Sequence, residues 1–260
     1  MIPDEPQKKF NATRVILTAG NKSAQHIIPI RDFSSCSYCS VRRLCLPVSV
    51  DKNEINIIDE LVVDRPLLKK NDYLFHAGDK FHDLFAIKSG AVKTYGSTRD
   101  GREQITGFHF AGELIGLDAI GNSTHNCSAV ALEQTVVCAL PYKNIENISL
   151  DVPRVQQEIT RLMSNEIRND EEMLMAIGGM RAEQRVACFL FSMYRRLNSR
   201  NAEKHTLRLP MKREEIGNYL GLSLETVSRR MSGLHEDGII EVENRIIKLN
   251  DIDALQALCR

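Results

Sequence analysis

Between residues 151 and 177 the apolar positions fall at helical spacing. Ile159, Met163, Ile167, Leu174 and Ile177 step by three or four, or by seven across position 170. The spacing predicts one long helix with a single apolar face, ended or kinked at Gly178-Gly179. Upstream the pattern changes. Short apolar runs such as Leu84-Phe85-Ala86-Ile87 and Ile105-Thr106-Gly107-Phe108 alternate with glycines, from Gly78 to Gly121. Short strands at turn spacing predict a small barrel or roll. Downstream the chain reads as mostly helical, with a strand pair at Ile239–Val242 and Arg245–Leu249. The fold class is α+β. Four segments follow: 1–50, irregular and cysteine-rich; 51–150, a β domain; 151–179, the long helix; and 180–260, a helical domain.

The apolar face of the long helix has two readings. It packs on its own domain, or it forms a coiled-coil seam between two subunits. Asp170 favours the seam, because it fills the position between Ile167 and Leu174 where a seam requires an apolar side chain. Across a two-fold axis it would face its own copy, and like charges in a half-buried seam repel. A homodimer built this way is conditional on further support. The dimerisation set is Ile159, Met163, Ile167, Asp170, Leu174 and Ile177.

The run from Met211 to Leu234 carries a helix-turn-helix pattern. Ile216 and Leu220 lie one turn apart on a first helix, Gly221 suits a left-handed turn, and Ser223 suits an N-cap. On the second helix Leu224, Val227 and Met231 are spaced to face inward, while Glu225, Ser228 and Arg229 face outward. Arg229 suits a two-pronged contact with guanine, Glu225 suits the cytosine amino group, and Ser228 suits a base edge or phosphate. Lys212, Arg213 and Arg230 suit phosphates. An ordinary helical hairpin with solvated charges fits the glycine, the cap and the spacing less well. The expected partner is double-stranded DNA.

Composition adds little here, because 34 basic residues balance 34 acidic ones over 260 residues. The N-terminus lacks the pattern of a secretory signal, and no stretch approaches the roughly 18 apolar residues of a membrane span. The expectation is a cytoplasmic protein with no membrane partner. No nucleophile elbow, phosphate-binding loop or metalloprotease motif is present, which argues against an enzyme. The seven cysteines are unevenly placed. Cys36-x2-Cys39-x5-Cys45 puts three thiols in ten residues, and such soft donors favour iron–sulfur clusters, zinc or copper. A disulfide switch in the same loop is a further reading.

Glu225-Thr-Val-Ser-Arg229, within its helix-turn-helix, resembles the recognition element of the Crp/Fnr transcription regulators, and of their oxygen-sensing FNR branch. Phe75-His-Ala-Gly-Asp79, Ala86-Ile-Lys-Ser-Gly90, Glu103 to His109 and Leu117-Asp-Ala-Ile-Gly121 extend the resemblance over most of the chain. It implies an N-terminal sensor loop, a β-roll of cyclic-nucleotide-binding type, a dimerisation helix and a C-terminal winged helix-turn-helix. It further implies a palindromic DNA site with TTGAT-type half-sites, read by a dimer.

The resemblance also supplies a fourth ligand. Cys138, in Thr135-Val-Val-Cys-Ala-Leu140, matches the remaining position that holds a 4Fe–4S cluster in the oxygen-sensing members. Read from the residues alone, Cys138 shares a strand face with Val136 and Leu140 and suits a core thiol. A four-cysteine zinc site is the chemical rival, although the x5 spacing fits it less well. Cys127, Cys188 and Cys259 read as structural or incidental. Cyclic-nucleotide binding is disfavoured, because Cys127 stands where the cAMP-binding relatives place a phosphate-gripping arginine. Arg102 occupies a surface turn where relatives that contact RNA polymerase often carry an acid, so a polymerase contact there would differ.

Overall fold

The structure is a computed structural model. It describes Cys36, Cys39, Ile55, Asn56, Asp59, Leu61, Val62 and residues 66–259 other than 99 and 199–204. Eight strands come first: β1 (Leu67–Leu68), β2 (Tyr73–Phe75), β3 (Asp83–Ser89), β4 (Ala91–Ser97), β5 (Glu103–Phe110), β6 (Leu114–Ile115), β7 (Ser128–Ala131) and β8 (Thr135–Pro141). They form two antiparallel sheets, ordered β1-β8-β3-β6 and β2-β7-β4-β5. Alternation along β4 decides what each sheet face meets. Val92 joins Phe75, Ile87, Ile115, Ala129 and Val137 in a core of the roll. Ala91 and Tyr95 instead join Ile105, Phe108 and Phe110 in a core shared with the C-terminal helices. That sheet is therefore buried on both faces.

Two helices follow, α1 (Tyr142–Asp151) and α2 (Pro153–Gly179). Pro153 opens α2 at a position where a missing N–H costs nothing. The sequence pattern predicts α2 but not α1, whose one buried residue is Ile145. Tyr142 and Ile148 pack beside Ile145 on the same cluster, but over ten residues this short stripe is easily read as part of the β domain.

The apolar face of α2 is not one continuous surface. Val155 and Ile159 are buried and Met163 packs beside them, in a cluster with Ile55, Leu61, Leu84 and Ile145 of the same chain. Further along, Ile167 is 58% exposed, Leu174 70% and Met175 73%. For the first half of the helix, packing on its own domain is the observed arrangement. Ile159 and Met163 are thus packed within the chain, while Ile167 and Leu174 are exposed further along the same face.

The C-terminal part comprises α3 (Ala182–Asn198), β9 (Thr206–Arg208), α4 (Arg213–Leu220), α5 (Leu224–Glu236), β10 (Ile240–Glu243), β11 (Ile246–Leu249) and α6 (Ile252–Ala257). The anticipated strand pair gains a third member, because β9 adds to β11 in a sheet ordered β10-β11-β9. Only Leu207 of the short β9 is buried, too little for a strand pattern.

Polar clasps and aromatic packing hold this part to the roll. Asn218 Oδ1 accepts from the Ile105 amide at 2.6 Å, and its Nδ2 donates to Glu103 O at 2.8 Å. Arg196 Nη2 donates to Glu113 Oε2 at 2.7 Å and to the Phe108 carbonyl. Phe108, Phe189 and Tyr219 pack edge to face.

Candidate DNA-reading and sensor sites

The turn between α4 and α5 is made by two glycines with different jobs. Gly221 takes the left-handed conformation (φ 64°, ψ 38°) that ends α4. Gly217 is needed for space, since a Cβ there would lie 2.6 Å from the Leu222 carbonyl oxygen. Ser223 Oγ then accepts from the Thr226 amide at 3.2 Å and caps α5. Val227, Met231 and Leu234 are buried on the inner face of α5.

Leu224 departs from the expected pattern. Its spacing places it with Val227 and Met231, yet it is 44% exposed. As the first residue of α5 it lies beyond the reach of the core, which continues instead to Leu234.

Glu225, Arg229 and Arg230 are exposed along the outer face of α5, and Ser228 is half-buried. The Glu225 carboxyl is held below its usual range by its own backbone amide and the Ser223 hydroxyl, with Arg229 adding to both. It is therefore an ionised acceptor. Arg213 Nη1 donates to Ser228 Oγ at 3.4 Å, which links the start of α4 to the reading face. Lys212 is exposed and its amide donates to Glu215 Oε2 at 2.8 Å. The arrangement offers side-chain donors and an acceptor on one convex helix face, the shape that a major groove admits.

Of the four candidate metal ligands, Cys36, Cys39 and Cys138 are described, and Cys45 lies outside the described residues. The Cys36 amide donates to Asp59 Oδ1 at 3.0 Å, and the Cys39 amide to Cys36 O at 3.3 Å. Cys36 packs against the cluster that seats the root of α2, which also contains Leu140. On β8, Cys138 pairs with Ala86 and is half-buried, as are its same-face neighbours Val136 and Leu140. Cys36 and the outer face of β8, through Leu140, thus border one cluster. Among the described residues, no three His, Cys, Asp or Glu side chains converge as a metal site.

A cavity of about 390 Å³ lies between the roll and α2. Thr94, His109, Asp118, Cys127, Glu166 and Asp170 line it, and among the described residues the lining contains no lysine or arginine. His109 Nε2 lies 3.1 Å from Thr94 Oγ1, and burial lowers the His109 pKa. Burial first, then Asp118, pushes the Cys127 thiol up to about 12. Neutral and acidic groups face the space where a phosphate would need a cation.

Asn218 also joins the two parts, its side chain working through backbone partners 113 and 115 residues away. No local pattern marks such a residue.

Two segments of the chain match family models. Residues 66–151 match the cyclic nucleotide-binding domain, and residues 184–258 match the Crp-like helix-turn-helix domain. The chain is 41% identical over 220 residues to the anaerobic regulatory protein of Pasteurella multocida, covering 85% of this chain and 81% of that one. The chain belongs to the Crp/Fnr family.

Members of the Crp/Fnr family are DNA-binding transcription regulators, not enzymes, and this chain carries their helix-turn-helix. It is also 39% identical over 223 residues to the fumarate and nitrate reduction regulatory protein of Escherichia coli, covering 86% of this chain and 89% of that one. Among solved structures, FixK2 from Bradyrhizobium japonicum superposes with a TM-score of 0.70 at 32% identity, covering 76% of this chain and 97% of that one. Among the described residues, no helix is long and apolar enough to cross a membrane.

Proposed function

We propose that this Crp/Fnr regulator controls anaerobic gene expression in response to oxygen, through a 4Fe–4S cluster held by Cys36, Cys39, Cys45 and Cys138. The observation that carries the reading is the position of Cys36. It packs on the same cluster as Ile159 and Met163, the root of α2. Cys36 thereby touches the same cluster as the root of the helix on which Ile167 and Leu174 lie exposed. The names of the relatives in Pasteurella multocida and Escherichia coli point to the same physiology.

The donor set fits an iron–sulfur cluster: soft thiols, two of them C-x2-C in one loop, with Cys138 on a strand face next to the cluster that Cys36 joins. When bound, the 4Fe–4S group supplies a redox-sensitive centre that oxygen degrades. The protein's own residues do the rest. Thiolates of the loop and of β8 draw the N-terminal segment against the root of α2. Ile167, Leu174 and Ile177 then meet their copies in a homodimer, against the repulsion of two Asp170 carboxylates. A bistable interface turns this modest local change into a population shift.

In the dimer, two copies of α5 reach successive major grooves of a palindromic site with TTGAT-type half-sites, Glu225, Ser228 and Arg229 reading bases. Lys212, Arg213 and Arg230 hold phosphates. RNA polymerase is the expected further partner, and the acidic lining of the roll cavity argues against a cyclic nucleotide as the signal.

The deciding experiment is anaerobic purification with visible absorption and assays of iron, acid-labile sulfide and zinc on one sample. Near-equal iron and sulfide in a brown protein that bleaches in air supports the reading. A colourless protein holding zinc favours a redox-responsive zinc or thiol sensor on the same loop. Either result leaves the DNA-binding assignment intact.

A further inference from the structure

The long helix α2 ends beside the turn of the helix-turn-helix, and one side chain reaches both. Arg185, one turn into α3 and half-buried, spreads its guanidinium over three carbonyls. Nε donates to Met180 O at 3.0 Å, Nη2 to Ile177 O at 2.6 Å, and Nη1 to Leu220 O at 3.1 Å. Ile177 lies in the last turn of α2, Met180 ends that helix, and Leu220 is the last residue of α4.

The local sequence presents these acceptors to the guanidinium. The Arg181 amide, which would continue α2 by donating to Ile177, donates instead to Gln184 Oε1 at 3.1 Å. Gly221 turns the chain away from α4 directly after Leu220. Helix C-termini carry partial negative charge, so a cation placed between two of them is favoured by both. A planar fork also meets three fixed carbonyls better than a point-like ammonium does.

The turn itself lies against this bridge. A Cβ on Gly221 would sit 3.7 Å from Arg185 Nη1 and 3.9 Å from Ile177 Cγ2. Ser223, two residues further on, caps α5. A cavity of about 80 Å³ lies beside Arg185, with Met173 and Ala176 of α2 and Tyr219 and Leu220 of α4 in its lining. Apolar packing thus leaves slack at the junction, and the polar bridge spans it.

We propose that Arg185 is a positioning residue for DNA reading, fixing the reading helix α5, through the end of α4, to the end of α2. The proposal rests on the paired reading given above, in which α2 joins two subunits. The same bridge in each subunit then sets the distance and tilt between the two copies of α5, and so the half-site spacing that the dimer accepts. Arg185 acts here through α4 and α5.

The test compares the full chain, purified without oxygen, with Arg185→Met, which keeps an aliphatic stem and removes every donor. Each protein is titrated with palindromes whose half-sites are moved together or apart by one or two base pairs, and with a single half-site. Sedimentation gives the dimer fraction of the same samples. The wild type should prefer one spacing. Arg185→Met should bind that spacing on the order of tenfold more weakly, with a flatter preference among spacings, because loosely held copies lose effective concentration at the second half-site. Its affinity for the single half-site and its dimer fraction should match the wild type, whereas a merely structural role would lower the single-site affinity too. Arg185→Lys keeps the charge without the fork and should flatten the profile less; it carries the test if Arg185→Met does not fold. A spacing profile unchanged in the variants would overturn the proposal. So would equal losses on the palindrome and the single half-site. A wild-type protein indifferent to spacing would remove the paired reading itself, and the proposal with it.

Discussion

Lys93 on β4 donates through Nζ to Glu215 Oε1 on α4 at 2.8 Å, an ion pair that joins the roll to the first helix of the helix-turn-helix. Each side chain keeps about a fifth of its surface in solvent (21% and 19%), so the pair is only partly screened. Burial alone would raise the Glu215 pKa. The Lys212 amide and the Lys93 ammonium more than offset it, and the carboxyl lies below its ordinary value. Glu215 thus clasps the roll with one oxygen and caps α4 with the other.

Replacing Glu215 by Gln keeps the shape and removes the charge. The expected loss is about 1–2 kcal/mol, the scale of a partly buried charge-assisted hydrogen bond. Thermal unfolding checks it, and Lys93→Met should cost a similar amount. The double variant should cost less than the sum of the two, because both remove one interaction. Full additivity would show that the contact contributes nothing to stability.

Gly217→Ala tests the turn. The added Cβ would meet the Leu222 carbonyl oxygen at 2.6 Å, with the Leu222–Ser223 backbone behind it to resist relief. A loss of about 2–4 kcal/mol is expected, the range of strong overpacking. Gly233→Ala is the control, because a Cβ there meets nothing within 4 Å. Replacing a helical glycine by alanine should then be neutral or stabilising by about 1 kcal/mol. Denaturant unfolding of the two variants separates close packing from generic glycine effects.

Much of this architecture is legible in the chain, for reasons that differ by element. The helix-turn-helix is visible because Ile216, Leu220, Gly221 and Ser223 each satisfy a local rule, and the structure shows each rule obeyed. The long helix is visible through its apolar period, but periodicity does not say what covers a face. Ile159 is covered within its own chain, whereas Leu174 stays exposed among the described residues. Leu224 misleads because helical phase is right while the helix start places it past the core. Asn218 and β9 are silent, since their partners are far away in sequence. The thiol cluster is legible as chemistry. The proposed fourth ligand, Cys138, comes from resemblance, because a half-buried cysteine on an alternating strand has no signature of its own.

DNA reading separates into base and phosphate contacts, and the variants should separate too. Arg229→Ala should lose about 1–3 kcal/mol of specific binding and relax the preference at one base pair of each half-site. Lys212→Ala should weaken all sequences alike and reduce the salt slope by about one. Titrations of the wild-type half-site and its single-base variants at several salt concentrations check both. Equal losses across all sequences for Arg229→Ala would assign that side chain to the phosphates.

If α2 pairs with its copy as proposed, the acid at its middle should give dimerisation a pH dependence. Asp170 is exposed in the single chain, yet its pKa is raised, first by partial desolvation at the cavity rim and then by Glu166 one turn away. His109 opposes the rise only weakly as a cation, since burial lowers its own pKa and keeps it neutral near pH 7. A raised carboxyl pKa means that the packed state prefers the protonated form. Its contribution is full below the ordinary carboxylate value and is lost as pH rises through the raised one. Bringing two Asp170 side chains together in a seam extends that shift in the same direction. Cluster-free protein should therefore dimerise more strongly as pH falls from 7 toward 5, measured by analytical ultracentrifugation. Asp170→Ala should dimerise at pH 7 without the cluster and lose most of that pH dependence. Asp170→Ala remaining as monomeric as the parent, or keeping the same pH profile, would remove Asp170 from the seam and leave the bare stripe of Ile167, Leu174 and Met175 to another contact.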